Sequence, residues 1–240
     1  MRTMLIVFAV ATLGLSAFAA WLFFGGPEDD PTRVKHAQYM TRIEQVRPKA
    51  EAGDIAAQFT LGSLLHHGEH GAKDTAEAFK WYAKAAERGH VGAQVALGTL
   101  YAEGDGVRQD YFRAAEWFRV AATLGNSADA QLALGDLHFK GRGAPNDYAL
   151  ALEWYRKAAD KGHPAAQHLV GALLMEGFAG RADPVEAFKW LTLALQGRDR
   201  VRAHDANLDT EAALDRLRKS MTRDQIARAE AAARDWRPRK

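Results

Sequence analysis

The sequence contains no cysteine. That absence excludes disulfides, thiolate zinc sites, iron–sulfur clusters and cysteine nucleophiles, so packing alone must hold the fold. Charge of one sign is missing too: 32 Lys and Arg stand against 30 Asp and Glu, a net charge of +2. A protein that grips nucleic acid by neutralising phosphates needs a basic surplus, so no nucleic-acid partner is expected. The Gly-x-Ser-x-Gly elbow, the phosphate-binding loop and the dinucleotide fingerprint are absent as well. No catalytic residues and no cofactor are assigned on this reading, and the chain is taken as non-enzymatic. What remains is 240 residues, 48% of them hydrophobic, enough for a real core in one domain or one repeat array.

The first long feature is an uncharged run from Met4 to Phe24. Its 21 residues, as a helix, would span about 31 Å, the thickness of a bilayer core. Arg2 precedes it, while Glu28, Asp29 and Asp30 follow. The positive-inside rule then gives a single-pass inner-membrane protein with a cytoplasmic N-terminus and everything after residue 30 in the periplasm. The alternative is a cleaved signal peptide ending near Ala17-Phe18-Ala19 and a soluble periplasmic product. Trp21, Leu22, Phe23 and Phe24 continue the apolar run past that point, which favours an uncleaved anchor over residues 1–25. Residues 26–33, rich in Gly, Pro and acid, read as a polar spacer. Residues 34–52 read as an N-terminal helical cap.

The centre of the chain repeats itself. Ala57-Gln58, Ala93-Gln94, Ala130-Gln131 and Ala166-Gln167 recur at steps of 36, 37 and 36 residues. Four residues after each Gln stands a glycine (Gly62, Gly98, Gly135, Gly171), and ten after it another (Gly68, Gly104, Gly141, Gly177). Sixteen after it stands an aspartate (Asp74, Asp110, Asp147, Asp183), and 23 after it a tryptophan (Trp81, Trp117, Trp154, Trp190). A period of this length means a stacked repeat architecture. Units at 53–89, 90–125, 126–162 and 163–197 are expected, followed by a C-terminal helical cap and basic tail over 198–240.

Each unit reads as two helices. In the first, Leu61, Leu64 and Leu65 form a helical stripe, as do Leu97, Leu100 and Tyr101 in the next unit. The inner glycine costs about 1 kcal/mol of helix propensity, and its return in all four units points to a partner helix passing too close for a side chain. The second helix starts at the aspartate, which can cap free backbone N–H groups. Asp74 with Glu77, Asp183 with Glu186 and Thr222 with Gln225 have capping-box spacing. Alanines and aromatics around each Trp should interlock between units, with the four indoles in the core.

These elements resemble the Sel-one-like repeat family, relatives of tetratricopeptide repeats. The stretches "VGAQVALGTLYAEGDGVRQDYFRAAEWFRVAATLG" and "ADAQLALGDLHFKGRGAPNDYALALEWYRKAADKG" carry its pattern, and the resemblance spans residues 53–197. Units one and four depart from it at the loop, with "GEHGAKD" and "GFAGRAD". "MTRDQIARAEAAARDW" is similar to closing helices of exported bacterial members. The resemblance implies an all-α, right-handed α–α solenoid of four helix pairs with helical caps. It also implies a role in protein–protein interaction, with no catalytic residues to carry over.

One cluster looks like a metal site. "HHGEH" places His66, His67, Glu69 and His70 within five positions. A hydrolytic zinc helix needs His-Glu-x-x-His, which this is not. Register puts His66 at the end of the first helix, His67 on its outer face and His70 in the turn, so the side chains diverge and no metal ligands are assigned. Recognition is placed instead on the concave face of the solenoid, formed by the first helices. The residues two, five and nine after each Gln should line it: Thr60, Ser63 and His67; Thr99 and Glu103 beside Ala96; Asp136 and Lys140 beside Ala133; and Glu176 beside Leu169 and Ala172. The expected function is a membrane-anchored periplasmic adaptor holding a protein or peptide there. The alternative is an envelope sensor of cell-wall fragments or metal ions.

Overall fold

The computed structural model describes residues 31–68, 71 and 73–239. The apolar run at 4–24, most of the spacer, Glu69 and His70 lie outside the described residues, so the anchor and the full "HHGEH" cluster do too. No described helix is long and apolar enough to cross a membrane. The described residues are helical throughout, with no strand.

Helix α1 (Pro31–Glu51) leads into four helix pairs: α2 (Ile55–His67) with α3 (Thr75–Glu87), α4 (Val91–Glu103) with α5 (Tyr111–Thr123), α6 (Ala128–Lys140) with α7 (Tyr148–Asp160), and α8 (Pro164–Glu176) with α9 (Pro184–Ala194). A short 3-10 turn over Leu195–Gly197 joins α10 (Arg198–His204), α11 (Thr210–Ser220) and α12 (Arg223–Asp235). From α1 to α9 each helix packs mainly on its neighbours in sequence, the pattern of a one-dimensional stack, while α10 packs back on α8, and α11 and α12 on α9. Two elements differ from expectation. Helix α1 begins at Pro31, inside the expected spacer, and tolerates Pro48 in its last turn. Helix α10 was not foreseen: "GRDR" carries no apolar period.

Local chemistry starts and stops the helices at fixed offsets. The residue four before each Gln caps the first helix: Asp54, His90, Ser127 and His163 accept from Ala57, Ala93, Ala130 and Ala166 N–H. All four are acceptors of suitable reach, which the shared register alone could have revealed. At the other end Gly68, Gly104, Gly141 and Gly177 sit at φ +60° to +74°, where a glycine ends a helix without Cβ strain. Asp74, Asp110, Asp147 and Asp183 cap the second helices as expected. Among the described residues the reciprocal half of the box forms only at Thr222 and Gln225. Glu77 and Glu186 turn away from their caps and accept from the indoles of Trp81 and Trp190, at 3.1 and 2.8 Å. Arg47 of α1 also reaches Glu77, at 2.7 Å, and holds its carboxyl below the usual range.

The deepest column is not tryptophan. Trp81 and Trp190 are buried, but Trp117 and Trp154 are only half-buried, with Lys157 lying 3.8 Å over the Trp154 ring. The residue after each Trp goes further in: Tyr82, Phe118, Tyr155 and Leu191 are 0–3% exposed. These side chains are what the helix glycines admit. A Cβ at Gly62, Gly98, Gly135 or Gly171 would fall 2.4–2.7 Å from Tyr82, Phe118, Tyr155 or Leu191 respectively. The glutamines stitch unit to unit. Buried Gln58, Gln94, Gln131 and Gln167 donate through Nε2 to the carbonyls of Ala50, Ala86, Ala122 and Ala159 at the end of the preceding helix. The carbonyls of Ala50, Ala86 and Ala159 also accept a backbone N–H from the glycine three residues on, so the amide adds a second bond, one that crosses the unit boundary.

Candidate functional site

Two depressions lie on the face built from the first helices. One, about 320 Å³, sits against α1 and α2 and is lined by Arg42, Phe59, Thr60, Ser63, Leu64 and His67. The other, about 370 Å³, lies between α4 and α6 and takes in Thr99, Glu103, Asp136 and Lys140, with Arg142 and His204 at its margin. The structure therefore gathers Thr60, Ser63 and His67 at one place and Thr99, Glu103, Asp136 and Lys140 at another. Glu176 joins neither. Helices α10 and α11 pack against α8, and Arg216 of α11 holds Glu176 at 2.9 Å. Leu169 and Ala172, on the same face of α8, are half-buried.

The side chains on this face are not equally free. His67, Glu103 and Lys140 are exposed. Thr60 and Thr99 turn their hydroxyls back onto their own helix, donating to Ala56 and Val95 carbonyls at 2.8 and 3.1 Å. Ser63 and Asp136 answer to the core: Ser63 hydrogen-bonds the Tyr82 phenol, and Tyr155 donates to Asp136 Oδ1 at 2.7 Å. Burial and the Asp136 carboxylate push the Tyr155 phenol far above its ordinary range. Opposite Phe118 and Leu191, which carry no hydroxyl, the same column holds Thr99 and Ala172. Variation in this column thus follows the packing partner beneath it, although the sequence suggests a position without packing demands.

The second depression borrows residues from the C-terminal cap. His204 Nε2 stands 3.3 Å from Asp136 Oδ2, so one carboxylate joins buried Tyr155 to α10. His168 of α8 is buried and pairs through Nδ1 with Thr210 Oγ1 at 2.8 Å, fixing the start of α11. Burial lowers the His168 pKa to about 4. Arg42 and His204 were invisible to the register because both lie outside the repeats. Only folding brings them to this face.

At the first loop His66 is half-buried and His67 exposed. The rings of His66 and His67 stack at 5.1 Å, and His66 Nε2 is 3.5 Å from Asp105 Oδ2 of the next loop. Lys73 Nζ holds that same oxygen at 2.6 Å, where a cation would meet an ammonium. Burial, His67 and Lys73 together lower the His66 pKa. Among the described residues no group of three or more His, Asp or Glu is placed to hold a metal ion.

Comparison with known proteins agrees with this geometry. The Sel1 repeat model matches residues 55–90, 91–126, 128–163 and 164–199. A Sel1 repeat protein from Oxalobacter formigenes shares 26% identity over 90% of this chain and 84% of its own, with a TM-score of 0.62. The c5321 protein, described as a protective antigen present in uropathogenic Escherichia coli strains and displaying an SLR fold, shares 30% identity over 81% of this chain, with a TM-score of 0.50. The chain spans about half of that protein's length, 48%. No curated protein gave a match. Sel1 repeats generally mediate protein–protein interaction. With four matched units running from 55 to 199, and their caps, glycines and buried glutamines in register, the chain belongs to the Sel1 repeat family.

Proposed function

We propose that this protein is a non-catalytic scaffold that holds a protein or peptide partner on the face of α2, α4 and α6. Its repeats are tethered to the membrane through residues 4–24 and face the periplasm. One observation carries the binding reading: the first-helix face holds depressions of about 320 and 370 Å³ over the first three units, whereas at the fourth α10 and α11 pack on α8 and Arg216 pairs with the exposed Glu176. A cap that seals one end of a repeat stack is required for solubility; it need not have covered the face of α8, and by doing so it restricts docking to the first three units. Within them the exposed His67, Glu103 and Lys140 are the side chains free to select a partner, while Ser63, Asp136 and the threonines set the floor. The anchor rests on the uncharged 21-residue run and the Arg2-before, acid-after asymmetry.

Crosslinking the intact protein in its native membrane, followed by mass spectrometry, tests this. Glu103→Lys and Lys140→Glu reverse exposed charges without touching the core, and should change the crosslinked set. An unchanged set with both variants would remove the α4–α6 face from the proposal.

A further inference from the structure

The structure points to a second contact surface, one edge of the stack, and we infer that it lies against the lipid headgroups of the bilayer. The inference rests on the membrane-anchored reading above. The edge is formed by the loops after α4, α6 and α8 together with the first turns of the second helices. These are contiguous: a Cβ at Gly106 would fall 2.8 Å from Thr75, and one at Gly143 3.2 Å from Tyr111.

Aromatic side chains run along it. Phe112 is 72% exposed and Phe178 57%. Tyr148 bridges Phe139 and Phe178 with ring centroids 5.4 Å from each, and Arg142 lies 5.4 Å over Tyr111. Arg108, Arg142 and Arg181 are exposed and form no ion pair among the described residues. The nearby carboxylates have other work: Asp110, Asp147 and Asp183 accept backbone N–H groups of their own helices, and Asp105 is held by Lys73. Single exposed apolar residues are ordinary on a protein surface. Their distribution here is not even. Five large apolar side chains are exposed among the described residues, and Val34, Met40, Phe112 and Phe178 all lie toward this edge. Leu124 alone stands on the opposite one.

The path of the chain says what this edge meets. Helix α1 runs antiparallel to α2, joined to it through the turn at Gly53. Tyr39 of α1 lies level with the first loop: its hydroxyl donates to Leu64 O at 3.2 Å, and a Cβ at Gly71 would strike its ring. Pro31 to Gln38 therefore continue past the edge, by about 12 Å at helical rise. The chain leaves toward residues 4–24 on the side that carries the aromatics. Aromatic rings favour the bilayer interface, and arginine stems reach along apolar surface to place their heads at phosphates.

The absence of cysteine makes single labels possible. The full chain, reconstituted in vesicles of phosphatidylethanolamine and phosphatidylglycerol with nitroxide-labelled headgroups, carries a fluorophore at Ala149→Cys, Leu124→Cys or Lys35→Cys. The expected result is several-fold stronger quenching at position 149 than at 124, lowered to the level at 124 by Phe112→Ser with Phe178→Ser. Both phenylalanines are exposed, so the double variant should fold. Equal quenching at 149 and 124 alongside strong quenching at 35 overturns the lipid contact and leaves the anchor standing. An unquenched label at 35, with protein in the supernatant, overturns the anchor and this inference together. Shielding of 149 in native membranes but not in bare vesicles makes the edge a protein-docking surface instead.

Discussion

Tyr155 and Asp136 are joined by a 2.7 Å hydrogen bond that crosses from the deepest column of the core to the floor of the open face. Tyr155 has no exposed surface, while Asp136 is half-buried and also meets His204 at 3.3 Å. The same pair of positions holds Ser63 and Tyr82 in the first unit, and Thr99 and Phe118 in the second. Polarity on the first-helix face is thus partly an echo of what lies beneath it.

Breaking that pair should therefore cost stability from one side more than the other. Asp136→Ala strands a buried phenol and is expected to lose about 1–3 kcal/mol. Asp136→Thr with Tyr155→Phe reproduces the second unit's pairing and should recover most of the loss. Urea denaturation of the single and double variants measures this; equal losses in both would show that the pair is not coupled.

Alanine at Gly135 tests the close approach of Tyr155. Glycine to alanine inside a helix ordinarily gains up to about 1 kcal/mol. Here the new methyl would lie 2.4 Å from the Tyr155 ring, so Gly135→Ala should instead destabilise by about 1–3 kcal/mol. Gly98→Ala, facing Phe118 at 2.5 Å, should behave alike. A rise in thermal midpoint for either variant would contradict the packing described.

Acid should loosen the C-terminal cap through His168. Its folded pKa of about 4 lies below the ordinary value of 6.5, so the folded state favours neutral imidazole. The stability it contributes is present above pH 6.5 and is lost as pH falls from there toward 4. The gap corresponds to about 3 kcal/mol at full effect. Asp209 opposes the shift and His204 adds to it. Stability measured from pH 7 to 4 should fall less steeply in His168→Gln, which keeps a partner for Thr210 but cannot titrate. Parallel curves would exclude His168 as the source.

The inter-unit glutamines predict a distributed cost. Gln94→Leu should lose about 0.5–1.5 kcal/mol, because the bond across the unit boundary to Ala86 O goes while Gly89 N–H still donates to that oxygen. Hydrogen exchange should then speed at the junction of α3 and α4 more than at α8 and α9. Uniform acceleration would mean that units do not open independently.

Much of this was legible before the fold was known. The Gln, Gly, Asp and Trp columns each carried a local physical demand: a carbonyl to satisfy, a ring to admit, a helix to start, an interior to fill. Such demands repeat with the unit, so the sequence alone determined the helix pairs, their caps and the stacking. Two readings went astray where neighbouring positions share a chemistry. The residue after Trp enters the core in all four units, whereas Trp itself does so only in the first and fourth, and Glu77 and Glu186 serve indoles rather than caps.

Only the tertiary structure decided what the C-terminal cap does to the first-helix face. The cap residues that pair with this face, His204 and Arg216, sit outside the repeat, and Glu176 gives no sign in its own unit that Arg216 waits 40 positions later. Periodicity reports what every unit needs from its neighbours. It is silent about where a non-repeating tail folds back, because that depends on chain path and charge pairing across the finished surface. The same reason governs the edge of aromatics and arginines. Phe112, Arg142, Tyr148 and Phe178 belong to three different units and become one surface only when the loops align.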